Sequence, residues 1–381
     1  MRTGHSKVPL GELISLAPES HTVLPDQRYP IAGIYGFGRG MIARAAISGQ
    51  EIAADQLFKI KSGQFIYSRL KSFEGAFAIV SDDVDGYFVS NEFPTFDIRT
   101  ERLEPSFLGW YFRQPRVWRQ LASDGRGIGA RRERLHPTRL LDHHLSLPTL
   151  KVQHLAVKRL DAAATKIAAA KQMAAATNVE LKFALAAAFN KLTAGAPRLP
   201  MGEIAPLVRR TVAVDPDGCY PEVGVRSFGK GTFHKPVLSG IEVGSKRLFE
   251  VRTDDLVFNI VFAWEGAVAV AAPDDNARVG SHRFLTCVPD PLRATPEFLR
   301  FHFLTPEGIH QLGAASPGGA GRNRTLGLKA LEALLVPVPS LDAQLYFDAL
   351  QGRVSRVVAG QSEVASELDC LLPALLSETF D

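Results

Sequence analysis

The fold is decided by residues 153–192, which read QHLAVKRLDAAATKIAAAKQMAAATNVELKFALAAAFNKL and contain no Gly or Pro. Ala, Leu, Lys and Glu dominate the stretch, and these residues lose the least entropy in a helix. A helix of that length is roughly 60 Å long and needs a partner for its apolar stripe. Its apolar and small residues recur in alternating steps of three and four, the spacing of a coiled coil. The predicted stripe is Val157, Leu160, Ala164, Ile167, Lys171, Ala174, Asn178, Leu181, Leu185, Ala188 and Leu192.

Length and composition set the broad class. The 381 residues are enough for two or more domains, and 46% hydrophobic with 22% charged residues is ordinary for a globular protein. The net charge of +4 permits a polyanionic partner without requiring one. No apolar run approaches the length of a membrane span, and the N-terminus lacks a signal-peptide core. Three scattered cysteines form no disulfide framework, which indicates a reducing cytoplasm. We therefore expect a cytoplasmic protein that does not bind a membrane.

The chain repeats itself at an offset of 191 residues. YPIAGIYGFGRG at 29–40 aligns with YPEVGVRSFGKG at 220–231, and PLGE at 9–12 aligns with PMGE at 200–203. The alignment needs no insertion and extends to Gln153 and Gln344. The sequence therefore predicts a tandem duplication.

The second copy is predicted to end in its own long helix, Gln344–Leu375, although Pro373 limits its regularity near the end. We expect the two long helices to pair as an antiparallel coiled coil related by a pseudo-two-fold axis. The alternative is that each helix packs on its own head. The predicted stripe of the second helix is Leu350, Val354, Val357, Gln361, Val364, Leu368, Leu371 and Leu375.

Each head is predicted to be mixed α and β, which makes the whole chain an α+β protein. Short alternating runs such as 64–67 and 76–80 indicate strands, and 105–121 and 296–312 have helical spacing after a proline. A Gly-rich basic loop follows in each head, and each head closes with a short strand that leads into proline. The predicted division is 1–152 for the first head, 153–196 for the central helix, 197–343 for the second head and 344–381 for the final helix.

Several motifs suggest catalysis or cofactor binding, but the residues around them do not fit these functions. GRGIGA at 125–130 follows a predicted helix, whereas a nucleotide-binding loop follows a strand, and GFGRG at 36–40 is typical of a turn between strands. His143 and His144 have no third metal ligand nearby, and Glu74 with its counterpart Glu265 has no repeated base beside it. We therefore expect no catalytic residues, no metal and no cofactor in this chain.

What remains is positive charge on loops and turns. Arg and Asn have the geometry to bind guanine and adenine edges, and nearby glycines let a backbone approach phosphate. Basic positions shared by the two copies suit phosphate contacts, and positions that differ suit base reading. The alternative for each residue is a solvated charged side chain. The candidate DNA-binding residues are Arg39, Arg44, Arg126, Arg131, Arg132, Arg134, Arg226, Lys230, His234, Lys235, Arg322, Asn323 and Arg324.

Four features in fixed order resemble the specificity subunit of type I restriction–modification systems. They are PLGEL or PMGEI at the start of a head, YPIAGI or YPEVGV soon after, a Gly-rich basic loop, and LSLPTLKVQ or VPVPSLDAQ leading into a long helix. The resemblance covers essentially the whole chain. It implies two target recognition domains, each reading one half of a split double-stranded DNA target.

The resemblance also implies partners. The helices would set the distance between half-sites and dock two methyltransferase (modification) subunits, which bind S-adenosylmethionine and methylate adenine. A further restriction subunit would translocate and cut, and the specificity subunit itself would not be catalytic. The residues expected to carry the helix contacts are Leu160, Ile167, Leu181, Leu185, Leu350, Val354, Val357, Gln361, Val364 and Leu368.

Two other function classes stay open from the residues alone. A two-headed scaffold would use its helices to recruit proteins without binding DNA. A pseudodimeric enzyme would need a polar set drawn from both copies, and the sequence contains no such set. Basic loops that face one continuous concave surface would favour the DNA reader, and loops that point apart would favour the scaffold.

Overall fold

The computed structural model describes residues 6–123, 134–319 and 324–380. The chain divides into two compact units: unit 1 is Met1–Met173 with Ser362–Asp381, and unit 2 is Ala174–Gln361. Each long helix therefore contributes one part to each unit. This division follows packing, whereas the four predicted segments follow the sequence repeat.

Unit 1 begins with a β-rich head and ends in a long helix that continues into unit 2. Its strands are β1 Ser6–Pro9, β2 Ile14–Leu16, β3 Glu19–Thr22, β4 Arg28–Tyr29, β5 Ala32–Ile34, β6 Met41–Ala43, β7 Ile47–Ser48, β8 Gln56–Lys59, β9 Phe65–Tyr67, β10 Phe77–Ile79, β11 Phe88–Val89, β12 Thr95–Ile98 and β13 His144–Leu147. Its helices are α1 Pro105–Tyr111, α2 Pro115–Ser123, α3 Pro137–Leu141 and α4 Leu150–Thr193.

Unit 2 is likewise a β-rich head followed by a long helix. Its strands are β14 Arg198–Pro200, β15 Leu207–Val208, β16 Thr211–Val212, β17 Cys219–Val225, β18 Thr232–Ser239, β19 Leu248–Val251, β20 Leu256–Asn259, β21 Val268–Val270, β22 Arg278–Ser281, β23 Phe284–Cys287 and β24 Leu335–Pro337. Its helices are α5 Met201–Ile204, α6 Gly240–Val243, α7 Pro296–Leu304, α8 Pro306–Ala314, α9 Leu328–Glu332 and α10 Leu341–Phe380, which continues into unit 1.

The two heads contain matching sheets. A four-stranded antiparallel sheet has the order β10-β9-β12-β2 in unit 1 and β21-β20-β23-β15 in unit 2. The strand before each long helix pairs antiparallel with the first strand of its head, β13 with β1 and β24 with β14. The core of unit 1 is aromatic: Phe65 lies 4.9 Å from Phe112, and Phe77 stacks on Phe112 at 4.6 Å between ring centroids. The mixed α and β prediction for the heads is confirmed.

A completely buried glutamine joins each long helix to its head. Gln153 Oε1 accepts a hydrogen bond from Glu104 N (2.8 Å), and its Nε2 donates to the carbonyls of Arg102 (3.0 Å) and Pro148 (2.8 Å). The amide thereby fixes the first turn of α4 against the residues that precede α1, since buried polar groups must find partners.

The same three bonds recur 191 residues later. Gln344 Oε1 accepts from Thr295 N (3.0 Å), and its Nε2 donates to the carbonyls of Arg293 (2.9 Å) and Pro339 (3.0 Å). Gln344 is also completely buried. Equivalent residues therefore make equivalent contacts in the two units.

The long helices pair antiparallel within unit 1. Arg159 forms an ion pair with Glu378 (3.0 Å) and Lys171 forms one with Asp369, so residue numbers rise along α4 as they fall along α10. Leu160 packs in a cluster with Leu376. In unit 2, the rings of Phe189 and Phe347 lie 5.4 Å apart, which joins the last part of α4 to the first part of α10.

The helix bounds differ slightly from those predicted. Each long helix begins three residues earlier than its predicted start, at Leu150 and Leu341, and α10 continues through Pro373 to Phe380. The predicted helices 105–121 and 296–312 are each two helices, because Pro115 and Pro306 have no amide hydrogen and open a new helix.

The prediction of which α10 residues face inward was wrong at three positions. All eleven predicted positions on α4 are buried or half-buried, but Val357, Val364 and Leu371 on α10 are exposed. Val358, Ala365 and Leu372 are half-buried instead. Val357 and Leu371 each precede another apolar residue, so apolar character alone did not determine which neighbour faces inward. A role for any of these residues in binding other subunits stays a prediction.

Candidate nucleic-acid interface

A glycine-rich turn at residues 36–40 connects β5 to β6, as the sequence predicts for GFGRG. The turn is held on a second turn of the same head by two backbone hydrogen bonds. Phe37 N donates to the Glu74 carbonyl (2.6 Å), and Gly38 N donates to the Gly75 carbonyl (3.0 Å). The turn is therefore fixed at its tip as well as at its two strands.

Unit 2 repeats this arrangement at residues 227–231, between β17 and β18. Phe228 N donates to the Glu265 carbonyl (2.8 Å), and Gly229 N donates to the Gly266 carbonyl (2.9 Å). Both heads consequently have the same turn. The duplicated Glu74 and Glu265 hold it in place through their backbone carbonyls, which accept these hydrogen bonds.

Two predicted arginines flank the turn of unit 1. The Arg39 Nε donates to the Gly36 carbonyl (3.1 Å), and its guanidinium lies 5.0 Å from the centre of the Tyr35 ring. Arg44 lies across β5, where its Nε is 3.2 Å from the position that a Cβ on Gly33 would occupy. Both arginines are exposed. Their positive charge therefore lies on the outer surface of the β5–β6 hairpin.

The predicted basic residues of unit 2 lie around its turn. The guanidinium of Arg226 lies 4.9 Å from the Phe233 ring centre, and the ammonium of Lys230 lies 5.9 Å from that of Phe228. His234 Nε2 is 3.0 Å from the buried carboxylate of Asp275. The tyrosine and arginine of unit 1, Tyr35 and Arg39, are thus replaced by two cations, Arg226 and Lys230.

Lys235 is more enclosed than the other cations. Its ammonium lies 5.1 Å from the Phe284 ring centre and 3.8 Å from the Glu222 carboxylate. These residues line a cavity of about 450 Å³ that Lys246 and Arg283 also border.

The Gly-rich basic loops are described only at their ends. Arg126, Arg131, Arg132, Arg322 and Asn323 lie outside the described residues. The loop residues Arg134 and Arg324 are described, and both have protein partners. Arg134 Nε bonds to Glu92 (3.1 Å), whereas Arg324 donates to the Ser316 and Gly313 carbonyls and stacks 5.2 Å from the Trp264 ring centre. Arg324 therefore anchors the end of its loop.

Arg113, which was not among the predicted DNA-binding residues, lies beside the unit 1 turn. The Arg113 guanidinium stacks on Trp110 at 4.0 Å, and the Trp110 Nε1 donates to Asp161 (2.8 Å). Loss of surrounding water lowers the pKa of Arg113, and the Asp161 carboxylate opposes that shift. The guanidinium remains charged, because an arginine pKa starts far above neutral pH. The second head has Phe301 and Leu304 at the positions of Trp110 and Arg113.

The described residues contain no group of three His, Cys, Asp or Glu side chains able to hold a metal ion. His143 is buried, and its Nε2 forms a 2.7 Å hydrogen bond with the Tyr111 hydroxyl, while His144 is exposed. No helix in the described ranges combines the length and the apolar character needed to cross a bilayer.

Comparison with solved structures identifies the architecture. The chain matches a crystal structure of the HsdS subunit from Thermoanaerobacter tengcongensis with a TM-score of 0.66 and 19% identity, covering 100% of this chain and 97% of that one. The chain has the fold of a type I restriction–modification S subunit.

A second match to the S-subunit fold comes from a structure concerned with complex assembly and conformational transition of the type I restriction–modification system. Its TM-score is 0.71 at 19% identity, covering 100% of this chain and 98% of that one. No family model matches the sequence, and no curated protein matches it either. The likeness therefore rests on the architecture of the whole chain.

Proposed function

We propose that this chain is the DNA-specificity subunit of a type I restriction–modification complex. The observation that carries the proposal is the match of the entire chain, heads and helices together, to S-subunit structures. Each head would read one half of a bipartite, asymmetric double-stranded DNA target. The chain would act in the cytoplasm and would not itself be catalytic.

We infer a tandem duplication from the contacts that recur at an offset of 191 residues. The glutamine bonds of Gln153 and Gln344 and the turn bonds of Phe37 and Phe228 are specific pairings of equivalent atoms in both units. Two heads that share a framework but differ in surface residues suit the reading of two different half-sites. Tyr35 in one turn and Arg226 in the other are such a difference.

The helices are proposed to set the distance between half-sites and to dock two methyltransferase subunits, with restriction subunits joining the complex. S-adenosylmethionine would be bound by the methyltransferase partners alone. Exposed apolar residues on the helices support docking: Phe183 on the unit 2 part of α4 is 71% exposed, and Val364 on the unit 1 part of α10 is 53% exposed. Buried apolar area is what most protein interfaces use for association.

A paired substitution in the two Gly-rich loops tests the DNA interface. Arg131→Ala with Arg322→Ala should weaken salt-sensitive binding to the target, by on the order of 1–3 kcal/mol for each arginine that reads a base. The measurement is a binding isotherm at several salt concentrations, followed by a methylation assay on the target. For the binding isotherm, Lys158→Ala with Arg353→Ala is the matched control, since it removes two exposed charges from the helices.

Unchanged affinity and unchanged site selection would remove these two arginines from the interface. The scaffold alternative predicts a different pattern, in which the parent chain selects no DNA sequence but still binds its protein partners. Selection from a pool of duplexes with a randomised core distinguishes the two functions directly.

A further inference from the structure

The turns described above have an exposed phenylalanine at their tips. Phe37 is 65% exposed and Phe228 is 70% exposed. Both have left-handed backbone conformations, with φ of +61° and +62°. A bulky residue with positive φ is a genuine outlier, because its side chain crowds the backbone.

At the other positions of this kind, one of the two copies has a glycine, which adopts positive φ without strain. The other non-glycine residues with positive φ in the described ranges are Asp254 and Ala277, and their counterparts 191 positions earlier are Gly63 and Gly86. Among the described residues with positive φ, only those at the turn tip have a large side chain in both copies. Strain of this kind persists where the surrounding structure enforces it, and it concentrates at functional sites.

The surroundings hold each ring outward. Two backbone hydrogen bonds to a neighbouring turn fix each tip, and the Phe37 ring meets the edge of Trp118 at 6.2 Å between centroids. Behind the Phe228 tip, Leu304 fills the space that any side chain on Gly229 would need. Each aromatic ring therefore projects from a fixed backbone, which lowers the entropy lost when it binds.

Cations lie close to both turn tips. Arg39 follows Phe37 by two residues, and Arg113 packs against the intervening Gly38. The ammonium of Lys230 lies near the Phe228 ring. Positive charge beside a rigid apolar ring matches a nucleic acid, whose phosphates pair with cations while its bases accept an apolar side chain. A protein partner would be bound better by an apolar patch than by a single ring among cations.

We propose that Phe37 and Phe228 are wedges, each of which inserts between adjacent base pairs and partly unstacks one base step in its half of the DNA target. This inference rests on the proposed DNA-reading function and adds a specific interaction to it. It also adds sequence preference without hydrogen bonds, because pyrimidine–purine steps unstack most easily. The flanking cations would hold the phosphates on either side of the opened step.

The test begins with the full parent chain and a pool of duplexes that carry a randomised 30-base-pair core, a size of about three helical turns. Enrichment of two half-sites at a fixed gap supports the proposed function, and failure to enrich any sequence overturns it together with the wedge. The enriched duplex is then made with 2-aminopurine at one position at a time. Bound parent chain should raise the fluorescence at one step in each half-site, because unstacking removes the quenching.

Phe37→Gly should abolish the signal in one half-site and weaken binding about tenfold, and Phe228→Gly should do the same in the other. Glycine tolerates positive φ, so each variant should keep or raise its thermal midpoint, which separates removal of the ring from loss of folding. Phe37→Tyr keeps the ring and should keep the signal. Leu292→Ala is the control for removal of an exposed apolar side chain, since Leu292 is 83% exposed.

Two results would overturn the wedge while leaving the proposed function intact. One is enrichment of a target whose 2-aminopurine signal never rises when the parent chain binds. The other is that Phe37→Gly and Phe228→Gly bind the target as tightly as the unsubstituted chain. This result would also overturn the wedge if the variants lost binding to a protein partner.

Discussion

Duplicating residues 181–187 in α4 together with 351–357 in α10 should abolish selection of the parent spacing between half-sites. Seven extra residues lengthen each helix by about 10 Å, which is about three base pairs of B-DNA. The two insertions lie at matching levels of the antiparallel pair, as the 5.4 Å contact of Phe189 with Phe347 indicates. Each insertion preserves the heptad, so the buried stripes stay aligned.

The new spacing should be about three base pairs longer and bound less tightly than the parent target. A heptad rotates a helix by only about 20°, whereas three base pairs rotate DNA by about 100°. The heads would then meet their half-sites with a rotational mismatch. Sequencing duplexes enriched by the parent and by the double insertion measures both effects. The insertion in α4 alone is the control, and it should disrupt helix pairing. Retention of the parent spacing by the double insertion would show that the helices do not set the distance.

Replacing the buried glutamines should cause the largest loss of stability. Gln153→Ala leaves Glu104 N and the carbonyls of Arg102 and Pro148 without their partner, inside a site that excludes solvent. Leaving several buried backbone groups unsatisfied costs about 3 kcal/mol of unfolding free energy. Gln344→Ala should lose a similar amount from unit 2, since its three bonds are equivalent.

Denaturant unfolding measures the total loss, and amide hydrogen exchange localises it. Exchange should accelerate at residues 102–108 in Gln153→Ala and at 293–299 in Gln344→Ala. Gln172→Ala is the matched control, because Gln172 is exposed on the same helix and its removal should change stability by less than about 0.5 kcal/mol. Glutamine variants as stable as this control would show that the bonds contribute nothing to joining helix and head.

The long helices and the mixed heads could be predicted because their signals extend over many residues. Over forty residues without Gly or Pro, one residue with a low helix propensity changes the prediction little. The repeat at an offset of 191 residues meant that each local pattern was seen twice. The buried stripe of α4 could be predicted for the same reason, because its spacing repeats over eleven positions. Helix ends and breaks depend on single residues, such as Pro115, and were predicted less accurately.

The α10 stripe shows what apolar patterns leave undetermined. Val357 is followed by Val358, and Leu371 is followed by Leu372, so the apolar pattern is compatible with two registers. Packing against α4 determines the register, and it places the small Ala365 inward while Val364 stays exposed. Interhelical packing of this kind depends on shape, which the sequence pattern does not contain.

The sequence drew attention to the charged residues of the candidate interface and not to its two exposed phenylalanines. Arg39 and Lys230 attract attention because positive charge near glycine suggests phosphate, whereas a phenylalanine normally suggests core. The available signal was that Phe37 and Phe228 align beside glycines in both repeats. Their positive φ and exposure come from the hydrogen bonds to Glu74 and Glu265, which are distant in sequence.

The central claim is that this chain determines a split DNA target, and mapping methylated adenine across a genome tests it most directly. DNA is sequenced from cells that carry the chain with its methyltransferase partners and from cells that lack only the chain. The account predicts one asymmetric motif of two half-sites at a fixed gap, methylated in the first cells and unmethylated in the second. A motif without a gap, or a motif still methylated when the chain is absent, would contradict it.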